Sequence, residues 1–137
     1  MMCLDWFKSS SVHKNEGIFR KSGNEKRINE MQKSIEKQDV FFLENEDPHT
    51  MATLFKRIFH DMQEPLFTWH LYQQWIDADV PDEEERVKNI ITLINSLPEN
   101  NLKILKYSCE YLHEISREAD ISLMHSNNLG LVFAPNW

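Results

Sequence analysis

The strongest helical pattern in the chain lies in residues 47–62, DPHTMATLFKRIFHDM. Its apolar side chains recur at i, i+3, i+4, i+7, i+8 and i+11, which is the spacing of one face of an α-helix: Met51, Leu54, Phe55, Ile58, Phe59 and Met62. Asp47 provides an N-cap, and Pro48 suits the first helical position. We therefore predict an amphipathic helix that begins at Pro48 and that Pro65 ends.

Two polar side chains of this helix lie away from its apolar stripe. At about 100° per residue, Lys56 and His60 are about 40° apart and nearly opposite the centre of the stripe. They are predicted to face away from the core.

A second helix is predicted before this one, over about residues 25–38. Its apolar face carries Ile28, Met31 and Ile35 at i, i+3 and i+7. Gly23 or Asn24 can provide the N-cap.

Four more helical segments follow Pro65. The first is short and aromatic, over 68–76, and the second opens with the acidic residues 82–85, whose charge suits a helix N-terminus. The third follows Leu97-Pro98, and the last is capped by Ser122 and runs to about Phe133. The apolar faces of the second and third are predicted to comprise Val87, Ile90, Ile91 and Ile94, and Leu102, Leu105, Cys109, Leu112 and Ile115. Only residues 40–43 suggest a strand, so we predict an all-α fold.

Composition excludes several classes of protein. The chain has 137 residues, 41% of them hydrophobic, which is enough for the core of a single domain. The 15 Lys and Arg against 22 Asp and Glu give a net charge of −7, so we expect neither a nucleic-acid partner nor an anionic membrane surface. No apolar run approaches the roughly 20 residues that cross a bilayer.

The cysteines and the first residues indicate a reducing, cytoplasmic setting. Cys3 and Cys109 allow a single intrachain disulfide, and the start of the chain lacks the pattern of a secretory signal. Cys109, on its apolar helix face, is expected to be a buried and inert thiol.

No cofactor or metal is expected. The sequence contains neither a G-x-G-x-x-G motif nor a P-loop, so it shows no means of holding a nucleotide. His60 and Glu64 are spaced at i,i+4 but lack an evident third metal ligand. The many Asp and Glu residues are expected to be solvated, with none singled out as a general acid or base.

Arg20 lies in a short segment bounded by two of the three glycines of the chain. Ile18 and Phe19 can anchor this loop in the core, while Gly17 and Gly23 relieve steric restriction on either side. Such a loop could hold the guanidinium outward. From spacing alone, however, an ordinary solvated arginine is the simpler interpretation.

Three blocks of sequence resemble the RhoGAP domain, the GTPase-activating domain for Rho-family small G proteins. Residues 16–23, EGIFRKSG, are similar to the family signature E-G-I-F-R-x-S-G. Residues 47–49, 54–56 and 64–66 are similar to the ordered parts of D-x-H…L-L-K-x-F-L-R-E-L-P-E-P-L. Residues 97–101, LPENN, and 128–136, NLGLVFAPN, resemble L-P-x-x-N and N-L-A-I-V-F-G-P-N.

The resemblance implies a helical bundle that presents Arg20 as an arginine finger to a GTP-bound Rho-family GTPase. The partner would supply the Mg²⁺, the nucleotide and the glutamine that orients water, so no cofactor and no intrinsic enzymatic activity are expected of this chain. Lys56 corresponds to the lysine that organises the finger loop. Asn136 corresponds to an asparagine that steadies the interface, although it could be a simple turn former after Pro135. His60 and Asn128 are assigned to the same GTPase-binding set.

The sequence also departs from the family pattern. His60 replaces an arginine, Gln63 replaces the first proline of L-P-E-P-L, and Ala134 replaces a glycine. Residues 1–15 match poorly, and the family continues beyond P-N, so we expect a partial domain over 16–137 that is truncated at both ends. These differences leave open a RhoGAP-like module that binds a GTPase without accelerating hydrolysis. Independently of this choice, any recruitment to membranes is expected to come through the partner or through domains missing from this chain.

Overall fold

The computed structural model describes residues 6–7, 11–39, 43 and 45–137. Within these residues there are α-helices and 3₁₀ turns and no strand, which confirms the all-α prediction. The strand suggested at 40–43 falls outside the described residues except for Leu43. The helices with described bounds are α1 (Glu25–Glu36), α2 (Pro48–His60), α3 (Tyr72–Asp77), α4 (Glu83–Asn95), α5 (Glu99–Arg117), α6 (Ala119–Ser122) and α7 (Ser126–Phe133), with 3₁₀ turns at Ser11–Lys14, Trp69–Leu71 and Ala134–Asn136.

Local capping places the N-termini of three helices where the sequence predicts them. The side chain of Asn24 accepts a hydrogen bond from Arg27 N at 3.1 Å at the start of α1. Asp47 accepts one from Thr50 N at 2.8 Å at the start of α2, and the side chain of Asp82 accepts one from Glu85 N at the start of α4. Each cap satisfies an amide that has no partner within its helix.

The core lies where α1, α2, α5 and α7 meet. The predicted stripe of α2 is largely buried, with Met51, Leu54, Phe55 and Phe59 in the core. The C-terminus of α2 comes earlier than predicted, at His60. Asp61 N makes the last i→i−4 hydrogen bond, to Arg57 O at 2.9 Å, whereas Met62 N bonds to Phe59 O at 3.2 Å. Pro65 lies in the irregular segment that follows.

The predicted apolar face of α4 is wrong in part. Val87, Ile90 and Ile91 are 48%, 37% and 53% exposed, whereas Leu93 is buried. Periodicity shows which residues share a face but not which neighbour lies opposite, and α4 packs against the short helix α3.

Two predictions about α5 and the segment after it are also wrong. Cys109 is exposed, because Ser108 and Tyr111 occupy the core side of α5, although neighbouring groups bury the thiol enough to raise its pKa. Ser122 does not cap the last helix. It ends α6, and Leu123, in the left-handed conformation with φ 56°, reverses the chain before α7.

Among the described residues, no helix is both long enough and apolar enough to span a bilayer.

Candidate functional site

The loop over residues 15–24, here called the Arg20 loop, turns tightly around Gly17. Arg20 N and Lys21 N both donate to Gly17 O, at 2.9 and 2.8 Å. Gly17 has φ +69°, a conformation that favours glycine. The loop buries Ile18 and Phe19 completely and leaves Arg20 exposed, as the sequence predicts.

Phe19 anchors the loop in an aromatic cluster. Its ring centroid lies 4.9 Å from that of Phe133, 5.5 Å from that of Phe7 and 6.0 Å from that of Phe55. The backbone of Phe19 has φ 67°, which is unfavourable for a bulky residue and is held by these contacts. The residue before Arg20 is therefore fixed in both its side chain and its backbone.

Lys56 connects α2 to the same loop. Its ammonium donates a hydrogen bond to Phe19 O at 2.5 Å, and burial lowers the pKa of the amine. The prediction that Lys56 faces away from the core needs correction, since the side chain is half-buried. Helix geometry gives its direction but does not show that the Arg20 loop covers this side of α2.

The two ends of the Arg20 loop are fixed to different helices. Gly17 N donates to Ser122 O at 2.7 Å at the end of α6. At the other end, Gly23 N donates to Thr53 Oγ1 at 3.1 Å, and Asn24 N donates to Thr50 Oγ1 at 2.9 Å.

The cation next to Arg20 is paired within the loop. Lys21 Nζ lies 2.9 Å from Glu16 Oε1, and this hydrogen bond is the main cause that lowers the pKa of the Glu16 carboxyl. Arg20 is thus presented beside an ion pair whose charges largely offset each other.

His60 and Asn136 lie on a separate aromatic groove of about 520 Å³. His60 is exposed, with Nδ1 3.0 Å from Asp61 Oδ1, and Asn136 donates to Val132 O at 2.9 Å. The aromatic side chains of the groove are Phe59, Phe67, Trp69, Tyr72, Trp75 and Trp137. The structure therefore brings these two predicted residues together.

Asn128 lies outside that groove. Its amide donates to Leu123 O at 3.2 Å and closes the turn between α6 and α7. Asn128 thus has a structural contact that the sequence does not indicate.

In the described part of the chain, no three His, Cys, Asp or Glu side chains are placed to hold a metal ion.

The family model described as the RhoGAP domain matches residues 1–137. This chain belongs to the RhoGAP domain family. The match includes residues 1–15, the segment that shows no clear motif in the sequence.

Curated relatives of this RhoGAP chain are Rho GTPase-activating proteins. It is 35% identical over 136 residues to Rho GTPase-activating protein 68F of Drosophila melanogaster, covering 98% of this chain and 29% of that protein. It is 33% identical over 122 residues to the human T-cell activation Rho GTPase-activating protein, covering 88% of this chain and 17% of that protein. The chain thus spans less than a third of the length of either relative.

Solved structures share the fold of this RhoGAP chain. The crystal structure of human Rho GTPase activating protein 15 superposes with a TM-score of 0.91 at 26% identity, over 98% of this chain and 65% of that one. The BH domain from GRAF gives a TM-score of 0.87 at 22% identity, over 98% of this chain and 74% of that one, a likeness of fold.

Three residues that hold the Arg20 loop were missed by the sequence analysis of the RhoGAP chain: Thr50, Thr53 and Ser122. The two threonines are spaced at i,i+3 on α2 and so share one side of the helix. For the two threonines, that spacing is the one signal in the sequence that could have indicated their role. Ser122 gives no such signal, because it contributes only its backbone carbonyl to the loop.

Proposed function

We propose that this RhoGAP chain stimulates GTP hydrolysis by a Rho-family small GTPase, to which Arg20 is supplied as an arginine finger. The observation that carries the proposal is the contrast between adjacent residues: Phe19 is fully buried and Arg20 is exposed. The loop thereby projects one guanidinium from a fixed backbone. The relatives are named Rho GTPase-activating proteins, which supports the same class of partner.

The chemistry of a guanidinium suits this role. Phosphoryl transfer spreads negative charge over the oxygens of the γ-phosphate, and a planar, permanently charged group can neutralise that charge where water is excluded. In other GTPases an arginine finger raises kcat by about 10³ to 10⁵, equivalent to roughly 4–7 kcal/mol of barrier. The partner, in its GTP-bound state, would hold the nucleotide and Mg²⁺.

The other site residues act around Arg20 in this proposal. Lys56 holds the carbonyl of Phe19 and so supports the finger from within the chain. His60 and Asn136, on the shared groove, contact the GTPase. Asn128 acts indirectly, by holding the turn that leads into α7.

The test is phosphate release from GTP-loaded Rho and Rac proteins mixed with the wild-type chain, Arg20→Ala and Arg20→Lys. We expect both variants to lose most of the stimulation, since lysine keeps the charge but lacks the planar fork. Arg117→Ala removes another exposed arginine, at the end of α5, and is expected to retain full stimulation. An unchanged rate in both Arg20 variants would contradict the finger assignment.

A second candidate function is GTPase binding without acceleration, and His60 is the observation that favours it. This exposed imidazole, beside Asp61, stands where the family has an arginine, and it cannot reproduce a forked cation. Affinities for the GTP-bound, GDP-bound and transition-state-mimic forms distinguish the two functions. A stimulating protein binds the mimic most tightly, whereas a binding module shows no such preference.

A further inference from the structure

Two hydroxyl groups of α2 meet two consecutive backbone amides at the end of the Arg20 loop. Thr53 Oγ1 accepts from Gly23 N at 3.1 Å, and Thr50 Oγ1 accepts from Asn24 N at 2.9 Å. Thr50 is buried and Thr53 is half-buried. Hydrogen bonds at such sites are costly to leave unmade.

The direction of each bond is fixed by the rest of the network. A backbone N–H can only donate, so each hydroxyl proton must go elsewhere. Thr50 Oγ1 donates to Asp47 Oδ2 at 2.8 Å, and Thr53 Oγ1 donates to His49 O at 2.8 Å. Both hydroxyls therefore present their lone pairs to the loop.

At Gly23 the backbone of the loop lies so close to the backbone of α2 that no side chain fits between them. A Cβ built on Gly23 would lie 2.2 Å from Thr50 Cα and 2.4 Å from Thr50 N. With this contact, the segment after Arg20 rests directly on the helix backbone. Gly23 is three residues beyond Arg20, so its position limits where the guanidinium can lie.

We propose that Thr50 and Thr53 are positioning residues for Arg20, which fix the loop by accepting hydrogen bonds from Gly23 and Asn24. This inference rests on the proposed stimulation of GTP hydrolysis. Catalytic groups that are misplaced by about 1 Å lose on the order of 10²-fold in rate, so loss of these two bonds is expected to affect the chemical step.

The experiment compares the double variant Thr50→Val/Thr53→Val with the double variant Thr50→Ser/Thr53→Ser. Valine keeps the shape and removes the hydroxyl, whereas serine restores the hydroxyl. Thr92→Val is the matched control, since its hydroxyl donates to Lys88 O within α4. Stimulated hydrolysis is measured against the concentration of the chain, to separate the saturating rate from the half-saturating concentration.

We expect the valine pair to lower the saturating rate about 10- to 100-fold, with little change in the half-saturating concentration. The serine pair and Thr92→Val should retain the wild-type rate. In an Arg20→Ala background the valine pair should cause no further loss, because there is no finger left to position. A further loss of the same size in that background would overturn the positioning role, as would a wild-type rate in the valine pair.

Amide hydrogen exchange of the chain alone tests the hydrogen bonds independently of activity. Gly23 and Asn24 should lose protection in the valine pair and regain it in the serine pair. Unchanged protection would overturn the inference even if the rate fell. If the double valine variant does not fold, the rate of stimulated hydrolysis and the amide exchange are both measured on the single variant Thr53→Val, whose position is only half-buried. A wild-type chain that stimulates no GTPase would instead contradict the proposed function, which separates the two failures.

Discussion

At the scale of single residues, Gly23 and Gly130 have opposite surroundings. Gly23 lies against the backbone of Thr50, so no side chain fits there without movement of the loop or of α2. Gly130 lies in α7 and is exposed, and apart from its chain neighbours and the backbone of its own helix no atom lies within 4 Å of the position of a Cβ. Substitution by alanine is therefore expected to change the free energy of unfolding in opposite directions at the two sites.

Gly23→Ala is expected to lower the free energy of unfolding by about 1–3 kcal/mol, the usual cost of overpacking. Gly130→Ala is expected to raise it by about 0.5–1 kcal/mol, since alanine is the better residue inside a helix. Urea unfolding measures both. A stable Gly23→Ala variant would show that the loop is free to move away from α2.

At the scale of elements, α1 and α2 are joined by polar contacts beside their apolar faces. Arg57 Nη2 of α2 lies 2.9 Å from both carboxylate oxygens of Glu25, and its Nη1 donates to Asn29 at 2.8 Å. The hydrogen bond from Arg57 is the main cause that lowers the pKa of Glu25 from its ordinary value of 4.5.

This ion pair gives the packing of α1 on α2 a pH dependence. A carboxyl whose pKa is lowered on folding stabilises the fold above its ordinary value, and the contribution is lost as the pH falls through the lowered pKa. The part of the advantage of wild type over Arg57→Met that comes from Glu25 should therefore be fully present at pH 7, begin to decline below about pH 4.5, and be lost as the pH falls through the lowered pKa.

The measurement is the free energy of unfolding by urea between pH 7 and pH 3. Wild type, Arg57→Met, Glu25→Gln and the variant with both changes form a double-mutant cycle, which isolates the interaction between Arg57 and Glu25. Because the carboxylate is solvent-exposed, the effect is expected to be small and to weaken with added salt. A pH-independent difference between wild type and Arg57→Met would contradict the assignment to Glu25.

The elements also show which parts of the fold the sequence can predict. The caps by Asn24, Asp47 and Asp82 are local interactions, so the starts of α1, α2 and α4 follow from short stretches of sequence. The exposed Ile91 and the exposed Cys109 depend on which neighbour packs against a helix, and periodicity alone does not contain that information.

At the scale of the whole molecule, the Arg20 loop is part of the core. Phe19 contacts the rings of Phe7, Phe55, Tyr111 and Phe133, which come from four other segments of the chain. The exposure of Arg20 and the burial of Ile18 and Phe19 were predictable from the local pattern. The hydrogen bonds to Thr53 and Thr50 were not, because they join residues 30 and 26 positions apart.

Phe19→Ala is expected to destabilise the whole chain by about 3–5 kcal/mol, the cost typical of removing a buried aromatic ring. Arg20→Ala, one residue further, should change the free energy of unfolding by less than about 0.5 kcal/mol, because the side chain is exposed. Thermal unfolding and urea unfolding measure both. Equal stability of the two variants would mean that the loop unfolds independently of the core.

The fixed backbone of the Arg20 loop also has an entropic consequence. Ordering a flexible loop costs about 1–2 kcal/mol for each residue whose backbone is fixed. Here the amides of Gly17 and Gly23, the ring of Phe19 and its carbonyl are held before any partner arrives. In the complex proposed above, Arg20 would therefore lose mainly the rotations of its own side chain, and little of the binding free energy would be needed to order the loop backbone.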